Sequence, residues 1–345
     1  MMAELWFWLV AGVLAMYAVL DGFDFGVGML HFVVAKTRDE RDTLLRSIGP
    51  VWDGNEVWLV AAGGTLFGAF PVLYATAFSG FYLPLMIVLW LLLFRSLGIE
   101  LRHHIDNLLW HQLWDVAFSL SSALLALFFG AALGNLVRGL PLKENGEFFE
   151  PLWTDFRVGD VTGILDWYTL LVGVTATVAL ALHGALWLVL KTTGAVGERA
   201  RTLAARLWPV LVALTLATTV ASAAVQPQLA TNIGRYPVGV VCPLLALGGL
   251  VGMRVFLNSS AQRAFLASCG FVFGLIASAA FAIFPYALPA RIAGRELSVA
   301  AAAAQDATLG SMLAWWLPGM LVAASYSYFI YSRMPKTFTT GGHEH

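Results

Sequence analysis

Two pairs of carboxyl residues stand in stretches that are otherwise almost entirely apolar. Asp21 and Asp24 interrupt the first apolar segment, and Asp53 and Glu56 stand near the start of the second. An ionisable side chain among membrane helices costs several kcal/mol unless it is paired or hydrated, so carboxyls there are functional candidates. Carboxyls crowded together out of bulk water can hold and release protons. The two pairs therefore indicate a proton or ion route.

The second acidic pair has polar and aromatic neighbours. Asn55 lies between the two carboxyls, and Trp52 and Trp58 flank the cluster. We expect Asn55 to belong to the route and the two indoles to control its access to water.

A simpler interpretation assigns all four carboxyls to helix ends. Negative charge is favoured in the first turn of a helix, which would account for Asp53 and Glu56, and acidic side chains can cap a break, which would account for Asp21 and Asp24. Two pairs on neighbouring helices, with an amide and indoles beside them, exceed what capping requires. We therefore favour the proton route.

Composition places the whole chain in a membrane. Of its 345 residues, 59% are hydrophobic and 12% charged, against about 45–50% and about 25% in soluble domains. The apolar runs are long and continuous, which favours helices over a barrel and predicts an all-α integral membrane protein. The net charge of -1 offers no basic surface for nucleic acid. Cys242 and Cys269 lack the spacing of a metal or redox motif and are interpreted as packing residues.

The apolar segments predict nine transmembrane helices in one transmembrane domain, residues 1–345. We expect two four-helix bundles, about 5–136 with the acidic clusters and about 163–285, plus one peripheral helix. The nine predicted spans are 5–34, 50–71, 78–98, 114–136, 163–190, 206–225, 239–256, 263–285 and 311–332.

Basic residues predict the orientation. One side carries 14 Lys and Arg residues and the other carries 6. Under the positive-inside rule the N-terminus lies outside and the C-terminus in the cytoplasm. The longest outer connections are then 137–162 and 286–310. The richer side has Lys36, Arg38, Arg41, Arg46, Arg95, Arg102, Lys191, Arg199, Arg201, Arg206, Arg254, Arg263, Arg333 and Lys336; the poorer side has Arg138, Lys143, Arg157, Arg235, Arg291 and Arg295.

This orientation puts both acidic pairs near the cytoplasmic face. At 1.5 Å per residue Asp21 lies ~24 Å along the first helix, in its inner half, and the second pair lies within about two turns of that face. Consecutive antiparallel helices pack side by side, so the pairs should lie at similar depth. Arg95, Glu100 and Arg102 end the third helix and are expected to form supporting ion pairs at the cytoplasmic rim.

Two further features are assigned to packing. His183 lies deep in a span without a second buried histidine placed to pair with it, so it is interpreted as a hydrogen-bonded core residue and not as a heme ligand. Gly26 and Gly28 lie within a helix and not in a strand-to-helix turn. They therefore indicate close helix contact and not a dinucleotide site.

Several of these motifs together resemble a known family. The run Asp21-Gly-Phe-Asp-Phe-Gly-Val-Gly-Met-Leu30 is followed by Gly49-Pro-Val-Trp-Asp-Gly-Asn-Glu-Val-Trp-Leu59 and Ser79-Gly-Phe-Tyr82. The combination resembles subunit II of the cytochrome bd-type quinol oxidases, including the cyanide-insensitive branch. The resemblance is dense over about residues 12–135, and the later part of the chain adds Phe284-Pro285-Tyr286 and the nine-span topology.

The resemblance implies a subunit of a terminal oxidase in the bacterial cytoplasmic (inner) membrane, which oxidises membrane quinol and reduces dioxygen to water. It implies that heme b and heme d belong to a partner, subunit I, and that no heme is ligated by this chain. It also implies a proton path, in which Asp21 and Asp53 match the family's acidic positions. A structural quinone, a small single-helix accessory subunit and membrane lipid are further expected associates.

Two alternatives remain open from the residues. The acidic pairs would also suit a proton-coupled secondary transporter, although transporters usually place broken helices at the midplane. A heme-bearing redox subunit in its own right is the other alternative.

Overall fold

Helices form nearly all of the regular structure of the chain. The computed structural model describes residues 1–160 and 162–340; His343 and His345, which the sequence places in a polar tail, lie outside this part. The helices are α1 Met2–Leu20, α2 Gly22–Met29, α3 His31–Val34, α4 Arg38–Ile48, α5 Trp52–Ala69, α6 Pro71–Gly80, α7 Tyr82–Leu101, α8 Leu108–Arg138, α9 Trp167–Lys191, α10 Gly194–Val225, α11 Gln228–Arg235, a 3-10 turn Pro237–Val240, α12 Val241–Phe256, α13 Ala261–Ile283, α14 Val299–Ala302 and α15 Asp306–Arg333; the strands are β1 Tyr286–Leu288 and β2 Leu297–Ser298.

The helices confirm the predicted multi-pass membrane protein. Within residues 1–160 and 162–340, 8 helical segments are long and apolar enough to cross a membrane, and a ninth is reached if α5 and α6 count as one bent pair. These two helices meet at 120°, where Pro71 occupies the first turn of α6. Proline cannot continue the hydrogen-bond ladder of the preceding helix, so the break falls there. The stretch predicted to connect the second and third spans is therefore helical.

The first span differs from the predicted continuous helix 5–34. It breaks at Asp21, but that residue keeps near-helical torsions, φ -85° and ψ -17°, so α1 and α2 still form one span, Met2–Met29. The chain beyond it turns into the short α3 and the polar α4. A Thr37–Glu40 capping box starts α4, and the spanning helix ends at Met29 instead of residue 34.

Glycines set how closely the second helix approaches its neighbours. A Cβ on Gly26 would lie 2.2 Å from the Leu180 carbonyl oxygen and 2.6 Å from Cα of Gly184, and one on Gly28 would lie 2.1 Å from Oγ of Ser122. The prediction of close helix contact is thus confirmed. Helix α2, which carries Asp24, is held directly against α8 and α9.

The two predicted bundles share one apolar core. Buried side chains of the first half, such as Tyr17 and Phe23, belong to the same cluster as Leu186 and Phe271 of the second. Helix α1 packs against both α5 and α13, and α9 packs against α2, α8, α10 and α13. The bundle boundaries themselves stay a prediction.

The predicted connection 286–310 folds over the end of the bundle that is predicted to be outer. It contains the antiparallel pair β1 and β2 and the short helix α14, and Ala304 donates its backbone N–H to the carbonyl of Ala69 at 2.9 Å.

Candidate proton-transfer site

Asp21, Asp24 and Arg95 are all fully buried and lie together in the bundle. Nη2 of Arg95 is 2.7 Å from Oδ1 of Asp21, and the two aspartates, one turn apart, are close enough to interact. The Tyr17 hydroxyl lies beside Asp21 without a well-formed hydrogen bond to it. The break at Asp21 and the glycine contacts of α2 bring these groups into the protein interior.

Glu56 completes the surroundings of the guanidinium. Its Oε1 lies 2.8 Å from Nη2 of Arg95 and accepts from Oγ of Ser96 at 3.1 Å. The guanidinium also stacks over Phe25, with its Cζ 4.5 Å from the ring centroid. Asp21 and Glu56 thus share one guanidinium, and Asp24 is bonded to Asn55 instead. Three carboxyls therefore stand near one positive charge, and a bound proton would compensate the deficit.

Asn55 links the acidic cluster to the last helix. Its Nδ2 donates to Oδ2 of Asp24 at 2.8 Å, and its Oδ1 accepts from the Tyr331 hydroxyl at 2.9 Å. A carboxamide does not give up a proton near neutral pH. Asn55 bridges Tyr331 and Asp24 through these hydrogen bonds, and its place in the route stays a prediction.

A cavity of about 420 Å³ ends at this hydrogen-bonded line. It lies between the start of α5 and the end of α15, at the predicted cytoplasmic face, and is large and polar enough to hold several waters. The exposed carboxyls of Asp53 and Glu100 belong to its wall. The cavity is lined by Gly49, Pro50, Val51, Trp52, Asp53, Gly54, Asn55, Glu100, Tyr326, Ser327, Ile330 and Tyr331.

The expectation that four acids lie out of water is wrong for Asp53. Asp21 and Asp24 are fully buried, whereas the Glu56 side chain is 24% exposed and Asp53 is open to solvent. Asp53 is the second residue of α5, so it projects at the helix end, beyond the packed bundle. The acids therefore divide into exposed Asp53 at the cavity, partly buried Glu56, and fully buried Asp21 and Asp24.

The rim position expected for Arg95 is also wrong. Arg95 stands six residues before the end of α7, about 9 Å into the helix, and its burial is compensated by Asp21 and Glu56. Arg102 is buried too, and it forms the expected ion pairs at the predicted cytoplasmic end, with Asp42 and Asp115, in a separate cluster. Glu100 is an exposed residue of the cavity wall, and its expected ion pair stays a prediction.

Helix capping does not account for the buried acids. Asp21 occupies the N-cap position of α2, but its side chain accepts no hydrogen bond from a backbone N–H. Asp24 stands in the first turn of α2, and its Oδ2 accepts from the Asn55 side chain. The N-cap of α5 is Val51, which likewise makes no side-chain cap. Asp53 does stand in the first turn of α5, where negative charge is favoured.

The indoles of Trp52 and Trp58 are both buried in the apolar core, each 8% exposed, and Trp52 also lines the cavity. The sequence reasoning missed Tyr331, Tyr17 and Ser96. A sequence signal existed for Tyr331, because Tyr326, Tyr328 and Tyr331 recur near the predicted cytoplasmic end of α15, but such tyrosines are also typical of membrane interfaces.

His183 is a hydrogen-bonded core residue, as predicted. Its Nε2 donates to the Val19 carbonyl at 2.9 Å and its Nδ1 lies 2.7 Å from Oγ of Ser268. The ring stacks on Phe265, with centroids 5.0 Å apart. Because both ring nitrogens are engaged, this residue does not fit the role of a heme ligand.

A second buried charge cluster lies at the predicted outer end. Arg138 donates to Oε1 of Glu150 at 2.5 Å and also binds Asp166, while Thr162 donates to the same Glu150 oxygen at 2.5 Å. Burial raises the pKa of the Glu150 carboxyl above its ordinary value, and the Arg138 guanidinium offsets part of this rise. The cluster fastens the connection between α8 and α9 onto the bundle.

A third cluster fastens the predicted cytoplasmic connections. His31 is buried, and its Nε2 is 2.7 Å from Oδ1 of Asp115. The Asp115 carboxyl also binds Arg102 at 2.5 Å and Arg41 at 3.2 Å. These contacts join α3 and α4 to α7 and α8. Its charges are balanced by direct ion pairs, unlike those around Arg95.

The chain matches a protein family over almost its full length. The family described as cytochrome bd terminal oxidase subunit II matches residues 2–334. A probable cytochrome oxidase subunit 2 of Haemophilus influenzae is 33% identical over 364 residues, covering 96% of this chain and 93% of that protein. Cytochrome bd ubiquinol oxidase subunit 2 of Bacillus subtilis is 31% identical over 340 residues, covering 96% of both chains.

Two further similarities extend this finding. Cytochrome bd-I ubiquinol oxidase subunit 2 of Escherichia coli K12 is 40% identical over 195 residues, which cover 56% of this chain and 50% of that protein. A chain in the structure of the bd oxidase from Geobacillus thermodenitrificans has a TM-score of 0.74 over 96% of this chain and 97% of that one, at 16% identity. The structural likeness supports the fold.

Proposed function

The chain belongs to the family of cytochrome bd terminal oxidase subunit II, and from that premise we propose that it conducts protons from the cytoplasmic face toward a heme-bearing subunit I. Membership makes it a subunit of an oxidoreductase complex and favours this interpretation over the proton-coupled transporter. The complex would oxidise membrane quinol and reduce dioxygen to water in a bacterial cytoplasmic membrane.

The observation that carries the proposal is the arrangement of the carboxyls: Asp53 is exposed at the cavity, and Asp24 and Asp21 are buried behind it. Asp53 stands in the open cavity, Asn55 and Tyr331 close its inner end, and Asp24 lies one hydrogen bond beyond them. In the proposed route water in the cavity delivers a proton past Asn55 to Asp24, and Asp21 receives it next. Arg95 would keep the negative charge of Asp21 stable between transfers.

The heme chemistry is proposed to lie in the partner. Heme b, heme d and the quinol site would belong to subunit I, where electrons pass from quinol to dioxygen. His183, with both nitrogens bonded, supports this division. Exposed apolar side chains on α7, α10, α12 and α15 support contacts of these helices with lipid and with other subunits. The structural quinone and the small accessory subunit stay predictions.

Substitution of the two aspartates tests the proposal. In the assembled oxidase Asp24→Asn should slow quinol-driven oxygen uptake on the order of a hundred-fold, because a buried proton acceptor is lost. Asp53→Asn should slow it less, since water can reach the cavity without it. Visible spectra should show normal hemes in both variants.

The matched control is Asp39→Asn, which changes an exposed carboxyl on α4 and should leave oxygen uptake unchanged. Wild-type uptake in Asp24→Asn would remove the buried carboxyl from the route and overturn the proposal.

A further inference from the structure

A hydrogen-bonded line joins three helices at the inner end of the cavity. The Tyr331 hydroxyl of α15 donates to Oδ1 of Asn55 on α5 at 2.9 Å. Nδ2 of Asn55 then donates to Oδ2 of Asp24 on α2 at 2.8 Å. Tyr331 and Asn55 also line the cavity, so the line begins where water can reach and ends at a fully buried carboxyl.

Tyr331 decides which way the Asn55 amide faces. A phenol has one hydrogen to donate, and among the described residues the Tyr331 hydroxyl bonds to Oδ1 of Asn55. The amide oxygen is thereby held toward α15 and the amide NH₂ toward Asp24. A reversed amide would take that acceptor from the hydroxyl and set its oxygen against a carboxylate oxygen.

The fixed amide makes the two oxygens of Asp24 unequal. Oδ2 accepts the Asn55 N–H, whereas Oδ1 is buried and has no hydrogen-bond partner among residues 1–160 and 162–340. We propose that Tyr331 is a positioning residue which, through Asn55, reserves Oδ2 of Asp24 as an acceptor and makes Oδ1 the atom that receives the proton. This inference rests on the proton route proposed above. The step transfers a proton from a hydronium in the cavity to Oδ1, and leaves water behind.

Charged and titratable groups of α1, α2, α5, α7 and α13 surround this line, and Asp53 and Glu100 stand in the cavity wall at its outer end. Tyr331→Phe leaves all of them in place and removes one hydroxyl, so its effect reports the hydrogen bond and not a change of charge. The groups that surround the line are Tyr17 of α1, Asp21 at the junction of α1 and α2, Glu56 of α5, Arg95 of α7 and Cys269 of α13.

The test uses the purified oxidase with its heme partner. Tyr331→Phe should slow quinol-driven oxygen uptake about three- to ten-fold, the effect of one hydrogen bond, with unchanged heme spectra. The infrared carboxyl band that disappears in Asp24→Asn should shift in Tyr331→Phe, because the Asp24 oxygens become less distinct. Tyr328→Phe is the matched control on the same helix: Tyr328 is 77% exposed, and this variant should keep both wild-type uptake and the wild-type band.

A double substitution separates positioning from general loss of structure. In an Asn55→Leu background, which removes the link between Tyr331 and Asp24, Tyr331→Phe should slow uptake no further. Effects that simply multiply would overturn the positioning role.

The remaining outcomes are also decisive. Wild-type uptake and an unshifted band in Tyr331→Phe would overturn the inference, while slow uptake in Asp24→Asn would leave the proton route standing. Normal uptake in Asp24→Asn would overturn both. If Tyr331→Phe does not assemble, Asn55→Leu carries the test, and wild-type uptake with an unshifted band in that variant would overturn the inference.

Discussion

Arg95 is the residue on which the stability of the buried cluster depends. Its guanidinium contacts Asp21 at 2.7 Å and Glu56 at 2.8 Å and has a fully buried side chain. A buried pair adds little over a well-packed apolar pair, but removing one partner leaves an uncompensated charge out of water. The same guanidinium therefore matters for folding and, in the proposed route, for holding Asp21 as a proton site.

Arg95→Gln should lower the free energy of unfolding by about 3–5 kcal/mol, because Asp21 loses its counter-charge. The measurement is the thermal stability of the purified complex. Adding Asp21→Asn should recover part of the loss, since two neutral amides can then bond to each other. Equal stability of Arg95→Gln and wild type would show that the ion pair does not hold the cluster.

The residue types of the acidic pairs predicted a buried polar site, but not its members. Asp21 and Asp24 were identified because acids in an apolar run are rare. Arg95 was placed at the rim because it stands near a predicted helix end. Tyr331 was missed because its partner Asn55 is 276 positions away in sequence, a contact that depends on tertiary packing and leaves no local pattern.

At the scale of elements, the contact between α2 and α9 brings the acidic cluster into the protein interior. The two backbones approach at Gly26 and Gly184, where a single added methyl group has no room. Within the first span, packing therefore requires glycine at position 26. It does not require glycine at position 12, because nothing lies within 4 Å of a Cβ added to Gly12.

Gly26→Ala should destabilise the protein by about 1–3 kcal/mol or more through overpacking, and it should reduce oxygen uptake by displacing Asp24. Gly12→Ala is the control with the same chemical change in the same span. It should be neutral or stabilising by about 0.5–1 kcal/mol, because alanine favours a helix. Both are measured by thermal unfolding, and equal effects of the two would refute the close contact.

The connection between α8 and α9 should make the stability of the protein depend on pH. The pKa of Glu150 is raised by burial, so its contribution to stability is fully present below the ordinary carboxyl pKa and is lost as pH rises through the raised value in the folded state. Wild-type thermal stability should therefore fall over that window, and Glu150→Gln should flatten the fall. A control is Glu144→Gln, in the same connection but largely exposed, with its side chain 89% accessible. An unchanged slope in Glu150→Gln would contradict the assignment.

Across the whole molecule, the helical membrane fold could be predicted from the sequence, because the thickness of a bilayer requires apolar segments of about 20 residues. The break between α5 and α6 lies at Pro71, but the sequence did not predict the sharp bend. Hydropathy shows that a segment is apolar and does not show the direction of its helix axis. The shared core of the two predicted bundles depends on glycine contacts between distant helices, which a single sequence does not reveal.

Sidedness of proton uptake tests the proton route most directly. With the oxidase reconstituted in vesicles in one orientation, a pulse of oxygen with quinol present should remove protons from the cytoplasmic side, as an impermeant pH dye on that side would show. In Asp24→Asn we predict that this proton uptake slows in step with oxygen uptake while the heme spectra stay normal. Uptake from the outer side, or a wild-type rate of proton uptake in Asp24→Asn, would contradict the route.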